Sequence, residues 1–137
     1  MLNDLVNGVN DFVLGNHIII DMYNCDSKII HDFDLLQKII RDTVKCIGAK
    51  IVSEGYKEFC PIGISAFAII SESHISIHTW PEYRFVALDI FSCNKAVTID
   101  ICKLIQKKLG AESYVTKFIE RGKIYLNQNN INIQEEN

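Results

Sequence analysis

The succession of apolar patterns predicts an α+β fold, a two-layer sandwich of an antiparallel β-sheet with two helices packed on one face. Three observations carry this prediction. A β-branched run near the N-terminus leads into an amphipathic helical stretch, four strand-like runs follow with short breaks, and a second amphipathic stretch precedes a last strand. No repeat or linker interrupts the 137 residues, so a single domain with a real core is expected.

Residues 2–13 suit a short helix or a loose arm. His17–Tyr23 (HIIIDMY) is a β-branched run fit for a buried strand. Asp34, followed three residues later by Gln37, fits a capping box, and Phe33, Leu36, Ile40, Val44 and Ile47 recur at helical spacing up to Gly48. From Lys50 the period changes to that of strands: Lys50–Phe59, Ile64–Ser71, His74–Thr79 and Phe85–Phe91. A helix over Ala96–Leu109 places Ile101, Cys102, Ile105 and Leu109 on one face, with Gly110 as its stop. Tyr114–Ile119 is the last strand, and the polar, asparagine-rich residues 127–137 are expected to be disordered.

Composition narrows the function classes. The formal net charge of −3 gives no basic footprint for nucleic acid or an anionic membrane. No apolar run approaches the ~20 residues of a membrane span, and the N-terminus lacks the cationic start of a signal peptide, so a cytoplasmic protein is expected. The five cysteines, at 25, 46, 60, 93 and 102, are odd in number and form no C-x-x-C, which argues against a disulfide framework or a zinc site. Most are expected to be reduced and buried.

Chemistry-bearing residues crowd into Ser71–Tyr83, SESHISIHTWPEY, which holds two of the four histidines and the single tryptophan. Alternation places His74, Ser76, His78 and Trp80 on one strand face, and a half-solvated strand is the plain reading of such a pattern. A metal site on the two histidines lacks a third ligand nearby, and none is expected. Two details disturb the plain reading. Ser71–Ser73 interrupts apolar strands without glycine or proline, and Ser73 and His78 stand an odd five residues apart. They cooperate only if the chain bends sharply near Glu72–Ser73, a strained turn that carries a hydroxyl.

SESHISIHTWPEY, followed by ALDIFSC, resembles the prokaryotic S-adenosylmethionine decarboxylase proenzyme family. LGNHIIIDMYNCD (Leu14–Asp26), FCPIGISAFAIISESH (Phe59–His74) and ERG (Glu120–Gly122) resemble further family motifs in the same order. The resemblance implies a self-processing zymogen. The Ser73 hydroxyl attacks the Glu72 carbonyl, and the resulting ester is eliminated to leave a 1–72 β chain and a 73–137 α chain. Position 73 becomes a pyruvoyl group, the cofactor, with no metal. Its ketone takes the substrate's amino group as a Schiff base and draws off the electrons that CO2 leaves behind. His78 is implied as the processing base, Ser65 as a serine that assists processing by hydrogen bonding at the cleavage site, and Cys93 as the proton donor in decarboxylation. Phe59, Trp80, Glu82 and Asp21 are implied to face the substrate, and the active site to lie between the subunits of a homodimer.

The activity implied is conversion of S-adenosylmethionine to its decarboxylated form, the aminopropyl donor for spermidine and other polyamines. Three positions depart from the family pattern. Arg84 replaces a usual glycine and is expected to bring charge to the substrate-side turn, Asp21 replaces a glutamate, and Ala66 a frequent glycine. These leave open a pyruvoyl-dependent ornithine or arginine decarboxylase. A non-cleaving, non-catalytic partner subunit is the alternative of another class, against which the intact Ser73, His78 and Cys93 speak.

Overall fold

The computed structural model describes residues 10–93, 99–127 and 130–133. Strand β1 (Asn10–Tyr23) is followed by helices α1 (Ser27–Ile30) and α2 (Phe33–Ile47), then by strands β2 (Ile51–Glu58), β3 (Ile64–Ile70) and β4 (Ser73–Trp80). A 3-10 turn (Pro81–Tyr83) leads to β5 (Phe85–Ser92), helix α3 (Ile99–Leu109), β6 (Ser113–Asn127) and β7 (Asn130–Ile133). The strands form one antiparallel sheet in the order β2-β3-β4-β5-β1-β6-β7, so the first strand lies between two of the last.

Strand alternation divides the sheet into two unlike faces. Ile18, Ile20, Ile75, Ile77, Leu88 and Ile90 point to one of them and are buried. There they join the apolar stripes of α2 (Leu36, Ile40, Val44, Ile47) and α3 (Ile101, Cys102, Ile105, Leu109) in one core. Burial of each large aliphatic side chain contributes roughly 1.5–3 kcal/mol. Among the described residues the opposite face carries no helix, and Ile19, Phe67, Ile69 and Val115 stand exposed on it. The expected α+β sandwich with its long helices on one face is therefore found.

Several local expectations change. The N-cap of α2 is Asp32, whose carboxylate accepts the Leu35 N–H at 3.0 Å, so Asp34 falls in the first turn instead of capping it. Gly48 ends the helix at φ 78°, as its position suggested. Only Cys25 and Cys102 are buried, while Cys46, Cys60 and Cys93 are exposed, and all five are free. Burial pushes the Cys25 thiol up to about 11. The last strand runs on to Asn127, and Asn130–Ile133 pair with it as β7 where disorder was expected. Residues 128–129 and 134–137 of that tail lie outside the described residues, as do 2–9 of the expected N-terminal helix or arm and 96–98 of the second helix. From Asn10 the expected arm is already strand. Among the described residues no helix is long and apolar enough to cross a membrane.

Arg84, at the end of the turn where its charge was expected, also has a structural task. Its Nε donates to the Cys25 carbonyl at 2.8 Å and its Nη2 to that of Asn24 at 3.1 Å, while its own carbonyl accepts the Cys25 N–H. These bonds tie the β1–α1 loop to the 3-10 turn, although Arg84 sits at φ 53°, where glycine is easier. Arg84→Ala is expected to lose about 1–3 kcal/mol. Arg84→Gly should lose less, because it relieves the backbone. Urea midpoints equal to the parent in both variants would show that the bonds contribute nothing.

Candidate active site

The β3–β4 hairpin turns at Ser71–Glu72, and Glu72 adopts φ 70°, a left-handed conformation costly for a residue with a side chain. The turn brings three groups of the sequence reading together. Ser73 Oγ donates to the Glu72 carbonyl oxygen at 2.5 Å, and Cys93 Sγ donates to the same oxygen at 3.2 Å. The Cys93 backbone N–H in turn donates to Ser73 Oγ at 3.2 Å. Cys93 reaches this point because β5 pairs with β4 in a register that sets Ser92 opposite Ser73. One carbonyl is thus held by two donors, and the hydroxyl beside it is oriented by a third.

His78 is elsewhere. The expected bend is present at Glu72, but it precedes β4 and folds the chain back onto β3, leaving Ser73–Trp80 a continuous strand. Ser73 and His78 are separated by five strand residues, about 16 Å. Ser65 and His78 are cross-strand partners and share a hydrogen bond of 2.7 Å between Oγ and Nδ1. Trp80 lies by the same imidazole, with ring centroids 6.4 Å apart, and also packs on Phe85. Asp21 and His78 line one hollow of about 310 Å³ on the helix-free face, together with Ile19 and Ser76. Phe59, half exposed, lines another of about 290 Å³ with His31, Glu58 and Pro61. Glu82 is exposed in the 3-10 turn that follows Trp80. The candidate residues therefore form two groups at opposite ends of β4, one around Glu72, Ser73 and Cys93, the other around Ser65 and His78.

Between the two groups lies a polar cluster that the sequence reading did not single out. Asp89 Oδ2 accepts from His17 Nε2 at 2.6 Å and from His74 Nε2 at 3.0 Å, and Oδ1 accepts from the Ser76 hydroxyl. Arg121 Nη1 contacts His17 Nδ1 at 3.0 Å. A guanidinium only donates, so Nδ1 accepts and the ring proton of His17 sits on Nε2, facing Asp89. Burial works to raise the pKa of Asp89, but the hydrogen bonds from Ser76, His74 and His17 outweigh it and hold the carboxyl below its ordinary value. The signal in the sequence was a carboxylate inside the apolar run FVALDIFS, since a half-buried charge needs partners.

Phe91 packs against this cluster. Its centroid lies 5.7 Å from that of His17 and 5.9 Å from that of His74, and the Arg121 guanidinium stands 5.8 Å from it. Gly15 makes the room, because a Cβ there would come within 2.7 Å of the Phe91 ring. Gly15→Ala should therefore displace the ring and destabilise the protein by about 1–3 kcal/mol. An unchanged urea midpoint would refute this.

Comparison with known proteins gives a consistent result. Residues 16–122 match the family described as S-adenosylmethionine decarboxylase. The chain is 40% identical over 116 residues to an S-adenosylmethionine decarboxylase proenzyme of Methanococcus maripaludis, a match covering 84% of this chain and 95% of that one. A proenzyme of the same description from Clostridium kluyveri is 38% identical over 110 residues, covering 80% and 87% of the two chains. Among solved structures, the adenosylmethionine decarboxylase of Aquifex aeolicus superposes with a TM-score of 0.74 at 28% identity, covering 80% of this chain and 92% of that one. Match and motifs run through β4, which begins at Ser73, and β5, which ends just before Cys93, and the chain belongs to the S-adenosylmethionine decarboxylase family.

Proposed function

We propose that this chain is a self-processing, pyruvoyl-dependent enzyme that decarboxylates S-adenosylmethionine to the aminopropyl donor of polyamine synthesis. The observation that carries the reading is the contact set at the hairpin, where the Ser73 hydroxyl and the Cys93 thiol meet on the Glu72 carbonyl. A pyruvoyl group fits this place, because the serine from which it would form is already beside the bond to be cut.

Ser73 Oγ adds to the Glu72 carbonyl carbon, and the charge that develops on oxygen is met by Cys93 Sγ–H. The Cys93 N–H steadies the attacking oxygen. Collapse expels the Ser73 nitrogen, which takes up the hydroxyl proton and becomes a free amine, and leaves an ester between Glu72 and the former hydroxyl. A base then removes the α-proton of residue 73, Glu72 departs as a free carboxylate, and dehydroalanine remains. Water replaces its nitrogen, which leaves as ammonia. Strain at Glu72 favours the sequence, since cutting frees that residue from φ 70°. Once formed, the pyruvoyl ketone supplies the electron sink for loss of CO2. Cys93, relieved of the Glu72 carbonyl, is left with its thiol at position 73, in place to deliver a proton there.

The base for processing is assigned to His78 of a second copy. Within one chain His78 is too distant, and its bond to Ser65 orients it for work elsewhere. The helix-free face offers the surface, with Ile19, Phe67, Ile69, Trp80 and Val115 all exposed. Sheets pack face to face about 10 Å apart. A two-fold axis between them sets the Ser65–His78 end of each over the Ser73 end of the other.

Intact-mass measurement of the purified protein, followed by CO2 release from S-adenosylmethionine, ornithine and arginine, tests the reading. Two fragments meeting between Glu72 and Ser73, with activity on S-adenosylmethionine, are expected. A persistently single chain would make it a non-catalytic subunit, and activity confined to ornithine or arginine would reassign the substrate.

A further inference from the structure

Cleavage poses a mechanical problem. Position 73 passes from the inside of a hairpin to the free start of a strand, and free strand ends fray unless they are tied down. Its ladder partners in β3 and β5 remain, but each is met at the very edge of its ladder. The next residues along β4 are fastened differently. His74 and Ser76 both bond through their side chains to Asp89, which also takes His17 of β1, and His17 is held in turn by Arg121 of β6. One carboxylate thus links β4 to β1 and, at one remove, to β6, next to the cut.

We propose that Asp89 is a positioning residue for the end of β4 that cleavage creates. Through His74 and Ser76 it fixes the first residues behind position 73 and keeps that terminus beside Cys93. The inference rests on the self-processing reading above. Before cleavage the hairpin does this work covalently, so Asp89 matters most afterwards.

His17, His74 and Asp89 hold their ligand atoms within 4.8 Å of one another, a spacing that also suits a cation. The proton arrangement opposes it. A metal on Nε2 of His17 would move the ring proton to Nδ1, directly against the donating guanidinium of Arg121. Arg121 therefore favours the hydrogen-bonded form.

The test compares Asp89 with Asp89→Asn on two backgrounds, the cleavable chain and Ser73→Ala. Asparagine keeps the shape but has one accepting oxygen where three bonds now converge. Cleavage of Asp89→Asn is expected to go to completion, since Asp89 does not touch Glu72, Ser73 or Cys93. In the cleaved enzyme, hydrogen exchange of the 74–76 amides should quicken about tenfold relative to the rest of the sheet. The turnover number should fall about ten- to hundredfold, with KM within about twofold. On the Ser73→Ala background the same amides should keep their relative protection. Equal loosening on both backgrounds, or an unchanged turnover number in the cleaved variant, overturns the proposal. If Asp89→Asn does not fold, His74→Gln, at a half-exposed side chain, takes its place under the same criteria. A wild-type chain that never cleaves overturns both the processing reading and this one. A wild type that cleaves beside a silent Asp89→Asn overturns this one alone.

Discussion

Ser73→Ala is expected to purify as one intact 137-residue chain and to release no CO2 from S-adenosylmethionine. A methyl group has no oxygen to add to the Glu72 carbonyl, no ester forms, and nothing is available to eliminate. The loss should be complete, because both the cut and the cofactor depend on the same atom. Folding is not at stake. Ser73 is half-buried at a strand end, and among the described residues its hydroxyl bonds only to the adjacent turn and to Cys93. Ser73→Thr retains the oxygen and should cleave slowly, since the added methyl restricts the rotamer that reaches the carbonyl. Mass spectrometry over hours separates the three proteins. Fragments of the expected masses from Ser73→Ala would end the proposed chemistry.

His78→Ala should also fail to cut itself, slowed about 10²–10⁴-fold for want of its base. The more telling result is expected from mixing. When Ser73→Ala and His78→Ala chains are co-expressed, a mixed dimer contains one site with an intact serine from one chain and an intact histidine from the other. About half of the His78→Ala chains should then appear cleaved, as random pairing of equal amounts dictates. The Ser73→Ala chains should stay whole. This asymmetry follows from the roughly 16 Å between Ser73 and His78 along a single strand. Mixed dimers that form and remain uncut would place the base within the same chain, against the geometry.

Local chemistry was legible in the sequence where a pattern is short-ranged. The helical spacing from Phe33 to Ile47 and the alternation of Phe85–Phe91 gave elements that the structure keeps almost unchanged. Asp34 misled as a cap because Asp32, two residues earlier, also offers a carboxylate, and only the backbone decides which one reaches Leu35. The bend at Glu72 was foreseen from the unbroken polar triplet Ser71–Ser73, but its direction was not. What escaped entirely was the Asp89 cluster. Its partners lie 72 and 15 residues away, and Arg121 lies 104 residues from His17, so no local periodicity encodes them. Strand register alone brings them together.

The strand order has a consequence for the two pieces that cutting at 72–73 would produce. Strands β1, β2 and β3 would belong to the first and β4 to β7 to the second, yet β1 is seated between β5 and β6. The fragments would be interleaved like the fingers of two hands. Parting them would break the ladder between β3 and β4 and both ladders flanking β1, three seams at once. Each piece alone would be left with a split sheet and half a core. Such a nicked protein should unfold as one unit, and fragments made separately should find each other poorly, because the groove for β1 exists only while β1 fills it.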